Sequence, residues 1–269
     1  MSLKIVVLAK QVPDTHNVGP DAMTAEGTIN RSALPAIFNP DDLNALEQAL
    51  ILKDKFPGST ITVLTMGLPK SADIIRESLY RGADSGYVVT DRCLGGADTL
   101  ATSYTLSQAI RKIGDYDIIL GGRQAIDGDT AQVGPQIAEK LGLTQVTYAE
   151  EILSLDPDAK KIVIKRHIDG GVETVEAPLP LVVTVNGTAT ECRPANAKRI
   201  MTYKKAVIPE WNATDINCDM KQVGKTGSPT NVKKVENIVF KAKESRSMTG
   251  SDEDINSLMA ELINDKIIG

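Results

Sequence analysis

Residues able to do chemistry are most concentrated in the stretch GGRQAIDGDTAQVG, residues 121–134. Gly122, Gly128 and Gly134 let the backbone approach a ligand closely, and Arg123 offers a guanidinium beside them. Asp127, Asp129 and Thr130 carry short oxygen-bearing side chains suited to turns and helix caps. Such a set binds rather than breaks bonds: the unpaired N–H groups and positive dipole end of a helix starting near Asp129 or Thr130 would attract a phosphate. The same residues also make an ordinary strand, loop and capped helix. A second loop, Leu94-Gly95-Gly96-Ala97-Asp98-Thr99, has similar character, with a left-handed turn before a capped helix as the alternative.

Other chemistry is poorly supplied. His16 and His167 are the two histidines, no G-x-S-x-G elbow is present, and no His/Cys/Asp group has metal-ligand spacing, so self-contained hydrolase or metal chemistry is not expected. Gly224-Lys225-Thr226 resembles the end of a P-loop, but Asp219 stands where the leading glycine belongs and no strand precedes it; a linker turn is expected. Cys93, Cys192 and Cys218 are odd in number and irregular in spacing, as for reduced structural thiols in a cytoplasmic protein. A bound cofactor would therefore have to carry any reaction.

Those loops need strands to hold them. Residues 3–9 (LKIVVLA) form an apolar, β-branched run of the kind found in a central parallel strand. A long Gly- and Pro-containing loop without GxGxxG follows, with a short hairpin around residues 27–29 as one way to fill it. Asn39-Pro40-Asp41-Asp42 opens a helix, capped by Asn39 or Asp41, that Pro57-Gly58 ends. Strands at 59–66, 87–89 and 118–120 alternate with helices ending at Gly82, Gly114 and Gly142, and a short strand follows at 145–148. This alternation predicts a doubly wound, mostly parallel α/β sheet. Beyond Glu150 the pattern changes to antiparallel strands at 151–155, 160–168 and 172–177, then one more at 181–185.

From residue 191 periodicity weakens. Arg193, Lys198, Arg199, Lys204 and Lys205 make a basic cluster on a chain of net charge −5, and residues 206–250 carry apolar side chains too scattered for a second core. A last helix at 252–264 presents Ile255, Leu258, Met259 and Leu262 on one face. The expected organisation is a core over residues 1–190 and, over 191–269, a recognition loop and an arm that docks on a partner. With 269 residues, 42% of them hydrophobic, the chain can bury one sizeable core. Its acidic balance argues against nucleic acid, and without a long apolar run membrane insertion is not expected.

The opening KIVVLAKQVPD, the helix NPDDLNALEQALILKD, RGAD at 81–84, GGRQAIDGDTAQVGPQIAEKLG, LPLVVTV and KRIMTYKK occur in an order that resembles the beta (small) subunit of electron-transfer flavoproteins over nearly the whole chain. The resemblance implies a Rossmann-like, adenine-nucleotide-binding core and a C-terminal arm that clasps the alpha subunit. It places the nucleotide over Ala9, over Asn39-Pro40-Asp41, along Thr65-Met66-Gly67 and against a loop carrying Gly122, Arg123, Gln124, Asp127, Gly128, Asp129, Thr130, Ala131, Gln132, Val133 and Gly134. Ordinary members bind AMP there. The small residues after Ala125-Ile126-Asp127 resemble the flavin-bifurcating members, which hold FAD, and Gly95, Gly96, Asp98 and Thr99 match the loop that receives NADH. Electrons would then pass to ferredoxin or flavodoxin and, through the alpha-subunit FAD, to an acyl-CoA dehydrogenase or reductase. The recognition loop keeps Glu191 and Arg193 but has Ala197 near the place of a projecting leucine, with Lys198 and Arg199 following, which points to a partner other than the usual dehydrogenase. The alternatives are a non-bifurcating subunit with structural AMP and a nucleotide-binding sensor domain.

Overall fold

The computed structural model describes residues 2–14, 35–230 and 247–268. The expected hairpin near residues 27–29 and His16 lie outside them. Strand β1 (Lys4–Leu8) sits at the centre of a nine-stranded sheet, paired in parallel with β4 (Thr60–Met66) on one side and β6 (Ile118–Gly122) on the other. Outward from β4 lie β5 (Ser85–Val89) and the short β11 (Glu210–Trp211); outward from β6 lie β10 (Leu181–Val185), β7 (Thr144–Asp156), β8 (Lys161–Ile168) and β9 (Gly171–Pro178). All pairings up to β7 are parallel, and β7–β8–β9 are antiparallel, as the change of pattern beyond Glu150 predicts. A separate antiparallel pair joins β2 (Gln11–Pro13) to β3 (Ala36–Phe38).

Successive strand residues point to opposite faces, so the central strands, covered on both, are apolar at most positions. Ile5 and Val7 of β1 pack in one layer with α1 (Pro40–Lys55) and α2 (Ala72–Arg81). Val6 and Leu8 pack in the other with α3 (Thr99–Ile113) and α4 (Val133–Leu141). Helix α1 also buries polar residues that tie distant segments to it. Asn44 Nδ2 donates to the Ala189 carbonyl at 2.7 Å, Gln48 Oε1 accepts from the Ile152 amide at 3.3 Å, and Glu47 receives Arg193.

Three expectations need correction. The strands expected at 145–148 and 151–155 are one strand, β7; a left-handed Tyr148 (φ 58°) and register shifts in its pairings let it leave β10 and continue against β8. Residues 206–230, assigned to the arm as too sparse in apolar groups for a core, bury Ile208, Ala213, Ile216 and Val223 in the existing core. They add β11 to the sheet edge, where Trp211 stacks on Tyr87 with ring centres 3.9 Å apart. Finally, the basic cluster expected in the recognition loop and arm is only partly exposed. Arg193 bonds Glu47 and Asp54 at 2.8 Å each, and Arg199 donates to the carbonyls of Leu79 and Ala83 in the last turn of α2 and just beyond it. Lys198, Lys204 and Lys205 remain exposed on and just after the short helix α5 (Ala197–Tyr203).

Glu47 is 5% exposed, so Arg193→Ala is expected to strand a buried carboxylate and cost about 2–3 kcal/mol. Thermal unfolding should then begin several degrees lower, and an unchanged midpoint would show that the contact is replaced by solvent at no cost.

Helix α6 (Asp252–Asn264), capped by Ser251, buries no side chain: Ile255, Leu258, Met259 and Ile263 are 50%, 39%, 44% and 55% exposed. Among the described residues no helix is long and apolar enough to cross a membrane.

Candidate functional site

The carboxyl ends of β1, β4, β6 and β10 open into a cavity of about 430 Å³, a size common among small-ligand sites. Its floor is apolar, made by Leu8, Leu64, Leu94, Leu106 and Val182. Both glycine loops stand on its rim, residues 96–99 from one side and 128–134 from the other, and Thr99 Oγ1 joins them by donating to Gln132 Oε1 at 2.8 Å.

The 123–132 loop has a definite shape. The amides of Gly128 and Asp129 both donate to the Ala125 carbonyl, at 3.1 and 2.9 Å, and Asp129 and Ala131 take left-handed conformations (φ 48° and 52°). That alternation postpones α4 to Val133, so the helix does not begin at Asp129 or Thr130, and neither residue caps it. The left-handed positions of this loop are Asp129 and Ala131, not its glycines. Asp127 instead binds Lys10 Nζ at 2.6 Å, and Asp129 accepts from Gln124 Nε2 at 2.8 Å, so both carboxylates are held by neighbouring side chains. Asn39 pins the loop from below: Nδ2 donates to the Gln124 carbonyl at 2.8 Å and Oδ1 accepts from the Ile126 amide at 3.2 Å.

Of the residues singled out for nucleotide binding, Ala9, Met66, Gly122, Arg123, Gln124, Gly128, Asp129, Thr130, Ala131, Gln132, Val133 and Gly134 line the cavity, together with Gly96, Asp98 and Thr99 of the second loop. Asn39, Pro40, Asp41, Thr65, Gly67, Asp127 and Gly95 do not. Thr65 is fully buried on the strand face opposite Leu64 and Met66, because alternation in β4 turns it towards the other layer. The Asp98 carboxylate is taken up internally, accepting from the amides of Ala101 and Thr230 at 3.0 Å each. Sequence reasoning missed Lys10, Asp42, Ala97, Thr102 and Thr184 as lining residues. Asp42 stands in a run of acids at a helix start, a pattern that reads as capping, and Thr184 sits inside an apolar strand. Neither pattern signals a cavity.

The polar inventory suits a nucleotide. Arg123 Nε is buried without a hydrogen-bond partner, 4.0 Å from the Asp41 carboxylate, and its guanidinium lies over the Tyr148 ring at 5.3 Å. Gln136 Oε1, at the start of α4, is also buried and unpartnered. A side chain added at Gly128, a cavity-lining residue, would meet no atom within 4 Å, so the space beside it is open. A guanidinium with an unsatisfied Nε, beside backbone at the rim and an apolar floor, fits a phosphate-bearing group with a planar ring. The free cysteines fit the structural role expected of them: burial pushes the Cys192 and Cys218 thiols up to about 11, away from the reactive thiolate.

Comparison with known proteins agrees with this architecture. The electron transfer flavoprotein domain matches residues 26–216. The chain is 45% identical over 230 residues to the caffeyl-CoA reductase-Etf complex subunit CarD of Acetobacterium woodii, covering 86% of each chain. It is 46% identical over 232 residues to the electron transfer flavoprotein subunit beta of Clostridium acetobutylicum, covering 86% of this chain and 87% of the relative. It is 43% identical over 238 residues to Protein FixA of Azorhizobium caulinodans, covering 87% and 84%. With a family match across most of the sheet and relatives of this identity along most of their length, the chain belongs to the electron transfer flavoprotein family, among its beta subunits.

Proposed function

We propose that this chain is the beta subunit of a flavin-bifurcating complex, holding FAD in the cavity and receiving NADH at the rim formed by residues 96–99. The observation that carries the reading is the opening of both glycine loops onto one cavity, so that two nucleotides would meet there. A similarity to a caffeyl-CoA reductase-Etf complex subunit supports an acyl-CoA reductase or dehydrogenase as one electron recipient. Ferredoxin or flavodoxin would be the other, and the complex would work in the cytoplasm.

The bound flavin supplies the redox chemistry. This chain binds and orients: backbone groups of residues 130–134 and the start of α4 would hold the diphosphate, the Gly128 and Asp129 amides being taken by the Ala125 carbonyl, with Arg123 as its cation. Leu8, Leu64, Leu106 and Val182 would keep water from the ring beside them. Arm helix α6 would dock on the alpha subunit, and Glu191, Ala197 and the exposed Lys198 and Lys204 would face the redox partner. Arg193 and Arg199 would shape that surface from beneath, through their contacts with α1 and α2.

Extraction of nucleotides from the purified two-subunit complex tests the reading. Two FAD per complex is the expected result. One FAD with one AMP would replace it with the non-bifurcating alternative, and no flavin would leave a nucleotide sensor.

A further inference from the structure

We propose that Asp42 is a specificity-determining residue of the cavity: its carboxylate occupies the backbone N–H pair that opens between β1 and β6, turning ligand phosphate away from that crevice and towards residues 128–134. The proposal rests on the nucleotide-binding reading above and deepens it.

The position is the one at which a parallel sheet of this order receives a ligand. From β1 the chain crosses through α1 to β4 on one side, while β6 lies on the other, so the strands part at their carboxyl ends. Their pairing ends at Val7 with Leu120. Beyond it, the amides of Lys10 and Gly122 point into the gap, a pair of donors suited to an anion. Asp42 takes both, with Oδ2 accepting from Lys10 and Oδ1 from Gly122, each at 2.8 Å. The chain thus supplies its own anion where a ligand phosphate would otherwise sit.

The carboxylate is held firmly. Asp42 is 7% exposed and lies in the first turn of α1, where the helix dipole favours a negative charge. Gly122 is what permits the approach: a Cβ there would meet Asp42 Oδ1 at 2.5 Å and Asp41 Cβ at 2.6 Å. The charged groups around it offer no cation. Asp41 is its neighbour on α1, Arg123 lies nearer Asp41, Lys10 Nζ is bound to Asp127, and Asp129 is bound to Gln124. Burial, with a smaller contribution from Asp41, outweighs the N–H donors and raises the Asp42 carboxyl to about 7. Its charge therefore changes near neutral pH, and a phosphate held nearby must respond to that change.

The test compares FAD, whose diphosphate has no group titrating near neutral pH, with phosphate-free adenosine, on the full chain in its complex after nucleotide exchange. Wild-type affinity for FAD is expected to fall roughly tenfold as pH rises from about 6 to 8, by repulsion across the cavity, while adenosine binding stays level. Asp42→Asn should flatten the FAD profile and leave adenosine unchanged. A separate readout covers a merely structural role. Because the folded-state carboxyl is raised above its ordinary value, it draws stability down as pH rises from about 4 through 7, and Asp42→Asn should flatten that slope too. A flattened stability profile with an unchanged FAD profile would overturn the proposal. If Asp42→Asn does not fold, equal pH slopes for FAD and adenosine in the wild-type complex overturn it alone. Failure of the wild-type complex to bind either ligand would instead sink the nucleotide reading.

Discussion

Deleting residues 252–269 is expected to weaken assembly with the alpha subunit about a thousandfold while leaving the α/β core folded. Helix α6 buries no side chain: Ile255, Leu258, Met259 and Ile263 are all at least 39% exposed, and Ile267 beyond the helix is 66% exposed. Fully burying a large aliphatic side chain contributes about 1.5–3 kcal/mol. These side chains have part of that still to gain, so four of them contribute about 4 kcal/mol on docking, or roughly three decades in Kd. The deleted segment supplies no core residue, so the thermal midpoint of the isolated chain should not move. Subunit affinity by analytical ultracentrifugation or calorimetry reads the effect directly. Equal affinity with and without the segment would show that the arm does not dock, and the exposed stripe would need another occupant.

The second large effect is expected at Gly128. Its replacement by valine should remove one flavin of two, together with NADH-dependent reduction of a low-potential acceptor, without loss of fold. Gly128 is not left-handed and a Cβ there meets nothing within 4 Å, so the backbone accepts a side chain. The added methyls instead project into ligand space, and overpacking of that kind costs about 1–3 kcal/mol, roughly 5- to 150-fold in affinity. Two other glycines supply the contrast. A Cβ at Gly122 runs into Asp41 and Asp42, and one at Gly134 collides with Thr184, so alanine at either should lower stability as well as nucleotide content. Retention of both flavins in a correctly folded Gly128→Val complex would show that residues 128–134 do not hold the nucleotide.

Periodicity made the central sheet readable because strands buried on both faces carry near-continuous apolar runs, as at residues 5–8 of β1, 118–120 of β6 and 181–183 of β10. The loops were readable as a candidate site for a different reason: glycines and short polar residues gathered at the carboxyl ends of parallel strands stand where such sheets receive ligands. What escaped was long-range and polar. Arg193 looked like a surface charge because nothing local marks its partner, Glu47, which lies 146 residues earlier in a buried helix face. Thr65 could not be told from Met66 as a lining residue until the face of β4 was known. The loop with left-handed Asp129 and Ala131 is held by Asn39 and Lys10, contacts that no window of neighbouring residues contains. The path of residues 206–230 escaped in the same way, since a few apolar side chains suffice once a sheet edge is there to receive them.

That path also gives the molecule its own optical probe. Trp211 is the single tryptophan of the chain, and it sits on Tyr87 with Lys112 Nζ 4.8 Å from its ring centre. Intrinsic emission therefore reports on the edge strand β11 and on nothing in the arm helix or the cavity lining. During unfolding, a shift in that emission marks the moment residues 206–230 peel from β5, and circular dichroism marks the loss of the sheet and its helices. Coincidence of the two signals would mean that this edge strap and the central sheet melt as one cooperative unit; separation would locate the weakest seam of the fold at the edge beside Tyr87.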